Sequence, residues 1–398
     1  MRITHVVGRY HPSMGGVEIT VIHLAQGMAA LGHEVEVFTV QHEPGLPLVE
    51  EHEGVTIRRF APAVRSYNYA IAPKMFQSLA DTRHPLLGKS GVGEFPRVVH
   101  GESPRVVHGH SYHTVVPLAA KRAKADAFVF SPYYHGTGHT FLRAALHKPY
   151  HLLGKGIFGA ASAVACLSQA EADLVEQDFA GTARKITVIS NGVEAALAHA
   201  LPFPEATAHG EVVIVASGRL APYKQFERVV EAVPFLPAHY RLVITGEGPS
   251  RASIESRIAA LGVGDRVSLK GHIPREELLR WMRTAKAIVS MSEQESQGLV
   301  LLEAIGAGAV AVASDIAAHK DVARETAGPI TLVPTHAGGA VVAQAIVAQI
   351  ATPHSNGVVP LWGEVVDNML GLYERAISVS AGTARDRSTR AVHRMSKV

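Results

Sequence analysis

The 398 residues carry 47% hydrophobic and 18% charged side chains, a globular composition that leaves little room for extensive disorder. The length is generous for one core and predicts two domains of ordinary size. A net charge of +3 without a basic, aromatic-rich stripe argues against nucleic acid as a partner. A single cysteine, Cys166, excludes an internal disulfide and fits a reducing compartment. The 23 histidines leave the charge at mildly acid pH open.

Ile3–Val7 reads as a short buried strand, entered with no signal-peptide apolar core or cleavage site, so a cytoplasmic location is expected. It runs into the loop Arg9–Gly16 and an amphipathic helix over Val17–Leu31, stopped by Gly32-His33. With Val35–Val40 as the next strand, this is a parallel βαβ opening. Ligands gather at the carboxyl ends of strands in such sheets. Gly15 and Gly16 would let the backbone approach a phosphate where a Cβ would collide; a tight turn with no ligand is the plainer alternative.

Residues 61–95, interrupted by proline and glycine, read as an irregular connection with one helix over Pro73–Leu79. The six residues P-R-V-V-H-G occur at 96–101 and again at 104–109, too few copies for a solenoid. The second copy is the better strand, because it leads into His110-Ser111 and a helical pattern over Val115–Lys124. Phe128–Ser131 is the next strand, with Tyr133-Tyr134-His135-Gly136 behind it. His108, His110 and His113 could converge on a metal, but no C-x-x-C, H-E-x-x-H or carboxylate partner accompanies them; no metal is expected. Ala163–Leu167 reads as a strand, and Ser168 caps a helix over Gln169–Asp178. The apolar stretch Ile157–Leu167 is too short to span a bilayer. Ile186–Ile189 follows, then Pro202-Phe203-Pro204 as a linker.

In the second half, Val212–Ala216 runs straight into Ser217-Gly218-Arg219-Leu220-Ala221-Pro222-Tyr223-Lys224. Arg241–Thr245 ends in Gly246-Glu247-Gly248-Pro249, which lacks the third glycine of a dinucleotide fingerprint. Val267–Leu269 leads to Gly271-His272-Ile273, a helix over Arg275–Thr284 and a strand over Ala287–Met291. The stretch Ser292–Gly308 carries two carboxylates, Glu295 and Glu303, with Gly298 between them. The unbroken run Leu299–Ile305 reads as a buried helix opening near Gly298, whose free N–H groups and positive dipole end suit a phosphate. Eight residues of helical rise would be roughly 12 Å. The order carboxylate, helix end, carboxylate matches the sugar hydroxyls, diphosphate and ribose hydroxyls of a nucleotide sugar. Val310–Ala313 closes the sheet, and Trp362–Ile377 is an amphipathic terminal helix followed by a basic tail.

Together these motifs resemble the retaining GT-B glycosyltransferases of family 4 (glycosyl transferases group 1). The segment Glu295–Glu303 is similar to their E-x7-E motif, Gly218–Lys224 to G-R-L-x-x-x-K, Pro12–Glu18 to P-x-x-G-G-x-E, and Asn191–Glu194 to N-G-V-D. The resemblance implies two Rossmann-like parallel-sheet domains facing a cleft: 1–200 on the acceptor side, 211–360 holding the donor. Residues 361–378 would form a helix crossing back to the first domain, and 379–398 a mobile basic tail. It implies a hexosyltransferase moving a sugar from a nucleoside diphosphate to a hydroxyl acceptor, with UDP or GDP the leading candidates and no cofactor. Acceptors range over small molecules, glycans and lipids, and peripheral membrane contact stays open.

By the same resemblance Arg219 and Lys224 would stabilise the leaving diphosphate, as preorganised cations do where charge develops. Gly15, Gly16, Gly298 and the N–H groups of Leu299 and Val300 would hold phosphates, Glu303 the ribose, Ile273 the base, and Glu295 the donor sugar. His135, with His139 as competitor, would stand beside the reacting carbon. Arg65, Tyr67 and Lys74 are candidates for the acceptor side. Two departures stand out: Gln297 where the family commonly has an aromatic, and Arg105 where it usually has an acid. A catalytically silent nucleotide-sugar-binding subunit and a GT-B nucleotide-sugar 2-epimerase remain as alternatives.

Overall fold

A computed structural model of the chain describes residues 1–13, 15–64, 70–80, 103–136 and 141–395, with 141–149 and 383–395 described by backbone alone. Arg65, Tyr67, His139 and the first copy of the repeat lie outside the described residues. The chain forms two compact units. The first is Met1–Leu167, Ala172–Ile189 and Val366–Val398; the second is Ser168–Glu171 and Ser190–Val365.

In the first unit β1 (Arg2–Val6), β2 (Glu34–Val40), β3 (Val49–His52), β4 (Val55–Phe60), β5 (Arg105–His110), β6 (Ala127–Ser131), β7 (Ala163–Cys166) and β8 (Ile186–Val188) form one sheet. Their order is β3-β4-β2-β1-β5-β6-β7-β8, parallel throughout except for β3 against β4. The interior strands are apolar because helices cover parallel sheets on both faces. The β3–β4 hairpin is absent from the sequence reading. Its signal is the two-residue turn Glu53-Gly54, both at positive φ, between the half-polar edge strand Val-Glu-Glu-His and the alternating Val55–Phe60. The first helix spans Gly16–Ala30, one residue earlier than the pattern predicts. The helical pattern over Val115–Lys124 contracts to Pro117–Ala120. Ser168 caps as expected, its Oγ accepting from Glu171 N at 3.1 Å.

The second unit holds β9 (Val212–Ser217), β10 (Tyr240–Thr245), β11 (Val267–Gly271), β12 (Ala287–Ser290), β13 (Val310–Ser314) and β14 (Ile330–Val333). All run parallel, in the order β11-β10-β9-β12-β13-β14. Alternate residues of β9 enter different cores: Ile214 and Ala216 on one face, Val213 and Val215 on the other. Pro202–Pro204, which composition marks as a linker, packs within this unit, with the Phe203 ring 4.5 Å from that of Trp281. The last helix runs from Trp362 to Met395, well past Ile377, where the amphipathic pattern ends. No helix among the described residues is long and apolar enough to cross a membrane.

Candidate active site

In the second unit the strand order descends to β9 and then ascends from β12, so the switch point lies between these two strands. Open α/β sheets bind ligands at the carboxyl ends there. The loop after β9 carries Gly218–Lys224, and the loop after β12 carries Glu293–Gly298. A backbone bond pins them together, Glu293 N donating to the Tyr223 carbonyl at 2.8 Å.

The first loop is held from behind by the Gly246–Pro249 turn. Gly218 N donates to the Thr245 carbonyl at 3.1 Å and Leu220 N to the Glu247 carbonyl at 2.9 Å. The approach is so close that a Cβ on Gly246, at φ +121°, would fall 1.9 Å from the Gly218 carbonyl oxygen. This G-x-G-P is therefore a structural clamp on the arginine loop, not a dinucleotide fingerprint. Arg219 is exposed on that loop. Lys224 closes the single turn Pro222–Lys224, and its Nζ meets Glu295 Oε1 at 2.5 Å.

Burial opposes charge on both partners, yet the attraction between them wins. Lys224 is held above the ordinary lysine range by Glu295, and Glu295 below the ordinary carboxylate range by Lys224. Both are therefore charged at neutral pH.

Gly298, in the left-handed region at φ +103°, caps a helix over Leu299–Gly306. Helix formation begins at Leu299, so the eight-residue helical separation of Glu295 from Glu303 is corrected: Glu295–Gly298 is non-helical loop, because Lys224 and the Gly298 turn govern it. The first N–H groups of the helix, among them those of Leu299 and Val300, have no intrahelical acceptors by construction. Glu303, buried one turn in, accepts from Arg275 Nη2 at 2.5 Å, while Arg275 Nε donates to Glu194 at 2.6 Å. Burial opposes the guanidinium charge, but Glu303 and then Glu194 hold it above its ordinary value. Ile273 lies two residues before Arg275 and packs partly buried against the core beneath. Gln297 is buried, its Oε1 accepting from Asn191 N at 3.1 Å and its Nε2 bonding Ser190 Oγ. The polar residue at this position thus fastens the Ser190–Asn191 turn.

Sequence reasoning missed Arg275 and His319. Arg275 opens its helix, where the dipole disfavours a cation, and that misplacement was a signal of acidic partners. His319 shares an i, i+3 face with Val322, which reads as core.

In the first unit, Gly15 caps the first helix at φ −147°, an extended value open to any residue. A Cβ on Gly16 would meet nothing within 4 Å among the described residues. The fold itself therefore places no steric demand for glycine at 16. His135 follows β6 and stacks on His113, ring centroids 4.2 Å apart. Lys74 is exposed on the helix Pro73–Ala80. Arg105 sits at the amino end of β5, its backbone N held by Asp126 at 2.7 Å. It is thus at the opposite edge of the sheet from the strand ends that gather ligands.

The trio that converges is His5, His108 and His110, with a nitrogen of each within 4.8 Å of the others; His113 instead joins His135. All three are fully buried. Burial pushes His5 down to about 3, and His108 and His110 well below their ordinary value. His5 Nδ1 lies 3.0 Å from His110 Nε2, His108 Nδ1 2.7 Å from Tyr373 Oη, and His108 Nε2 2.9 Å from Ser131 Oγ. Both His108 nitrogens face hydroxyls, so the cluster forms a buried polar group beneath the last helix.

Two family profiles match the chain: Glycosyltransferase Family 4 over residues 14–197 and Glycosyl transferases group 1 over residues 199–343. One relative is the GDP-mannose:cellobiosyl-diphosphopolyprenol alpha-mannosyltransferase of Xanthomonas oryzae pv. oryzae, 26% identical over 82% of each chain. Another is a D-inositol 3-phosphate glycosyltransferase of Frankia alni, 28% identical over 76% of this chain and 78% of that one. Among solved structures, a sucrose-phosphate synthase from Thermosynechococcus elongatus superposes with a TM-score of 0.67 at 20% identity, covering 98% of this chain and 99% of that one. The Anabaena protein HepE in complex with UDP and glucose gives 0.65 at 17%, covering 98% and 100%.

Proposed function

Because the chain belongs to the GT-B glycosyltransferases described by those two profiles, we propose that it transfers a hexosyl group from a nucleoside diphosphate sugar to a hydroxyl acceptor with retention of anomeric configuration. The observation that carries this reading is one strip of the second unit. It joins the Lys224–Glu295 pair, the Gly298 helix end and the Glu303 carboxylate at the sheet's switch point. The donor's diphosphate would settle on the N–H groups of Leu299 and Val300, with Gly298 leaving the approach open. Glu303, oriented by Arg275, would take the ribose hydroxyls, and the Ile273 segment would meet the base.

In the transfer, the bond from the anomeric carbon to the diphosphate oxygen breaks with its electron pair going to phosphate. Arg219 and Lys224 would stabilise that developing charge, the work a divalent metal does elsewhere. The acceptor oxygen bonds to the same face of the sugar, and its proton passes to the departing phosphate oxygen. Glu295, tied to Lys224, would hold sugar hydroxyls and is not a covalent nucleophile. Gly15, Gly16 and His135 of the first unit carry phosphate and donor roles by resemblance; for Gly16, the open space around it leaves a ligand's approach as a reason for glycine.

A thermal-shift panel of UDP, GDP, ADP, dTDP and NAD, on the native protein and Glu303→Ala, tests the assignment. A ligand that binds only the folded state raises the melting temperature by mass action. One diphosphate should stabilise the native protein and lose that effect in the variant. Product analysis with the matching sugar donor then separates transfer from epimerisation and from silent binding. No shift by any diphosphate, with a normally folded variant, would return the helix to mere core packing.

A further inference from the structure

His319 lies in the helix Ala317–Thr326 behind the Gly298 loop and is fully buried. Its Nδ1 is 2.9 Å from the Ser314 carbonyl oxygen. A carbonyl only accepts, so Nδ1 carries the proton and Nε2 of the neutral ring is a bare lone pair. That Nε2 has no hydrogen-bond partner among the described residues. A buried polar atom without a partner calls for a physical reason.

The ring's free edge faces the phosphate loop. A Cβ on Gly298 would fall 3.0 Å from His319 Cδ2 and 3.4 Å from Nε2. We propose that His319 is a positioning residue of the donor site: it takes up a proton from solvent when a nucleoside diphosphate settles at the Gly298 helix end, and so sets a positive charge behind the phosphate loop. This rests on the reading of that helix end as the diphosphate site.

The charges around the ring fit a poised group. Burial keeps it neutral in the free protein, Glu295 and the Ser314 carbonyl favour the charged form, and Lys224 opposes it. The helix Leu299–Gly306 brings no charge before Glu303, which Arg275 engages. On its own helix, Asp321 is bonded to Ala170 N and Arg324, and Lys320 pairs with Asp315. A diphosphate adds negative charge on the loop's far side and competes with Glu295 for Lys224. One unit charge at about 6 Å, with an effective dielectric near 20, moves a protonation equilibrium by about a hundredfold.

The test is calorimetric titration of UDP and GDP at pH 7.5 in PIPES, HEPES and Tris, buffers that differ in ionisation enthalpy. The apparent binding enthalpy should vary with buffer in the sense of proton uptake. In His319→Asn, whose amide can keep the bond to Ser314, that uptake should vanish and affinity should fall about tenfold at neutral pH. The affinity gap should close as pH rises, because the wild-type histidine is then neutral in both states. His319→Gln provides a second variant, and the imidazole ¹⁵N signal of the wild-type Nε2 reads the protonation directly with and without nucleotide. Binding with equal buffer dependence in wild type and variants, or an unshifted ¹⁵N signal, overturns the role of His319 alone. Absence of any nucleotide binding overturns the site reading with it.

Discussion

Lowering the pH from 8 to 5.5 should destabilise the first unit selectively, through His5, His108 and His110. All three are fully buried and bonded to one another or to hydroxyls. Their folded-state values lie below the ordinary 6.5, that of His5 at about 3. The unfolded chain therefore binds their protons first. Their contribution is fully present above pH 6.5 and is lost as pH falls toward the folded values. Each such histidine costs about 1.4 kcal/mol per pH unit below 6.5. The three together cost about 4 kcal/mol by pH 5.5, a large share of the roughly 5–15 kcal/mol that holds an ordinary domain folded. Urea unfolding followed by far-ultraviolet circular dichroism at pH 8, 6.5 and 5.5 measures the loss. Both tryptophans, Trp281 and Trp362, lie in the second unit, so their fluorescence supplies an internal comparison that should respond less. His110→Gln removes one titrating ring and should reduce the pH slope by about a third, whatever it does to stability at pH 8. A first unit equally stable at pH 8 and 5.5, or a slope untouched by the variant, would refute the reasoning.

Other outcomes follow from the second unit. Arg275→Ala should weaken nucleoside diphosphate binding about tenfold by releasing Glu303, and Arg275→Lys should restore little, since one ammonium cannot reproduce the fork to Glu303 and Glu194; calorimetry reads both. Lys224→Ala should lower kcat about a hundredfold or more, with a smaller change in donor affinity; a change in KM alone would move Lys224 out of transition-state stabilisation. Gln297→Phe, toward the residue type common in the family, should cost about 1–3 kcal/mol in urea unfolding, because Asn191 N–H loses its acceptor in a buried place.

Much of the second unit was legible because its candidate site residues are packed into short segments. Strand, glycine and charged residue succeed one another within a few positions at Ser217–Lys224 and Ser290–Gly298, and local rules are enough to place them. The helix opening at Leu299 follows from Gly298 and an unbroken apolar run. Less was legible in the first unit. The β3–β4 hairpin is half polar and hides among loop residues, and the Val115–Lys124 pattern yields only a short helix. The histidine trio was misread because His113 lies close to His108 and His110 in sequence, whereas the pairing of β1 with β5 sets His5 beside His108.

Composition and pattern alone therefore determined the class of fold, the run of parallel strands, the helix end at Gly298 and the residue types that surround it. These depend on periodicity and on backbone conformations that only glycine favours, and both are written locally. Tertiary structure decided the partners: Lys224 with Glu295 across 71 positions, Arg275 with Glu303 and Glu194, Gln297 with Asn191, His5 with His110. Such pairs depend on strand order and register, which bring distant loops to one edge of a sheet. Whether a buried acid or histidine is charged depends on those same neighbours, so its chemistry can be read only once the chain is folded.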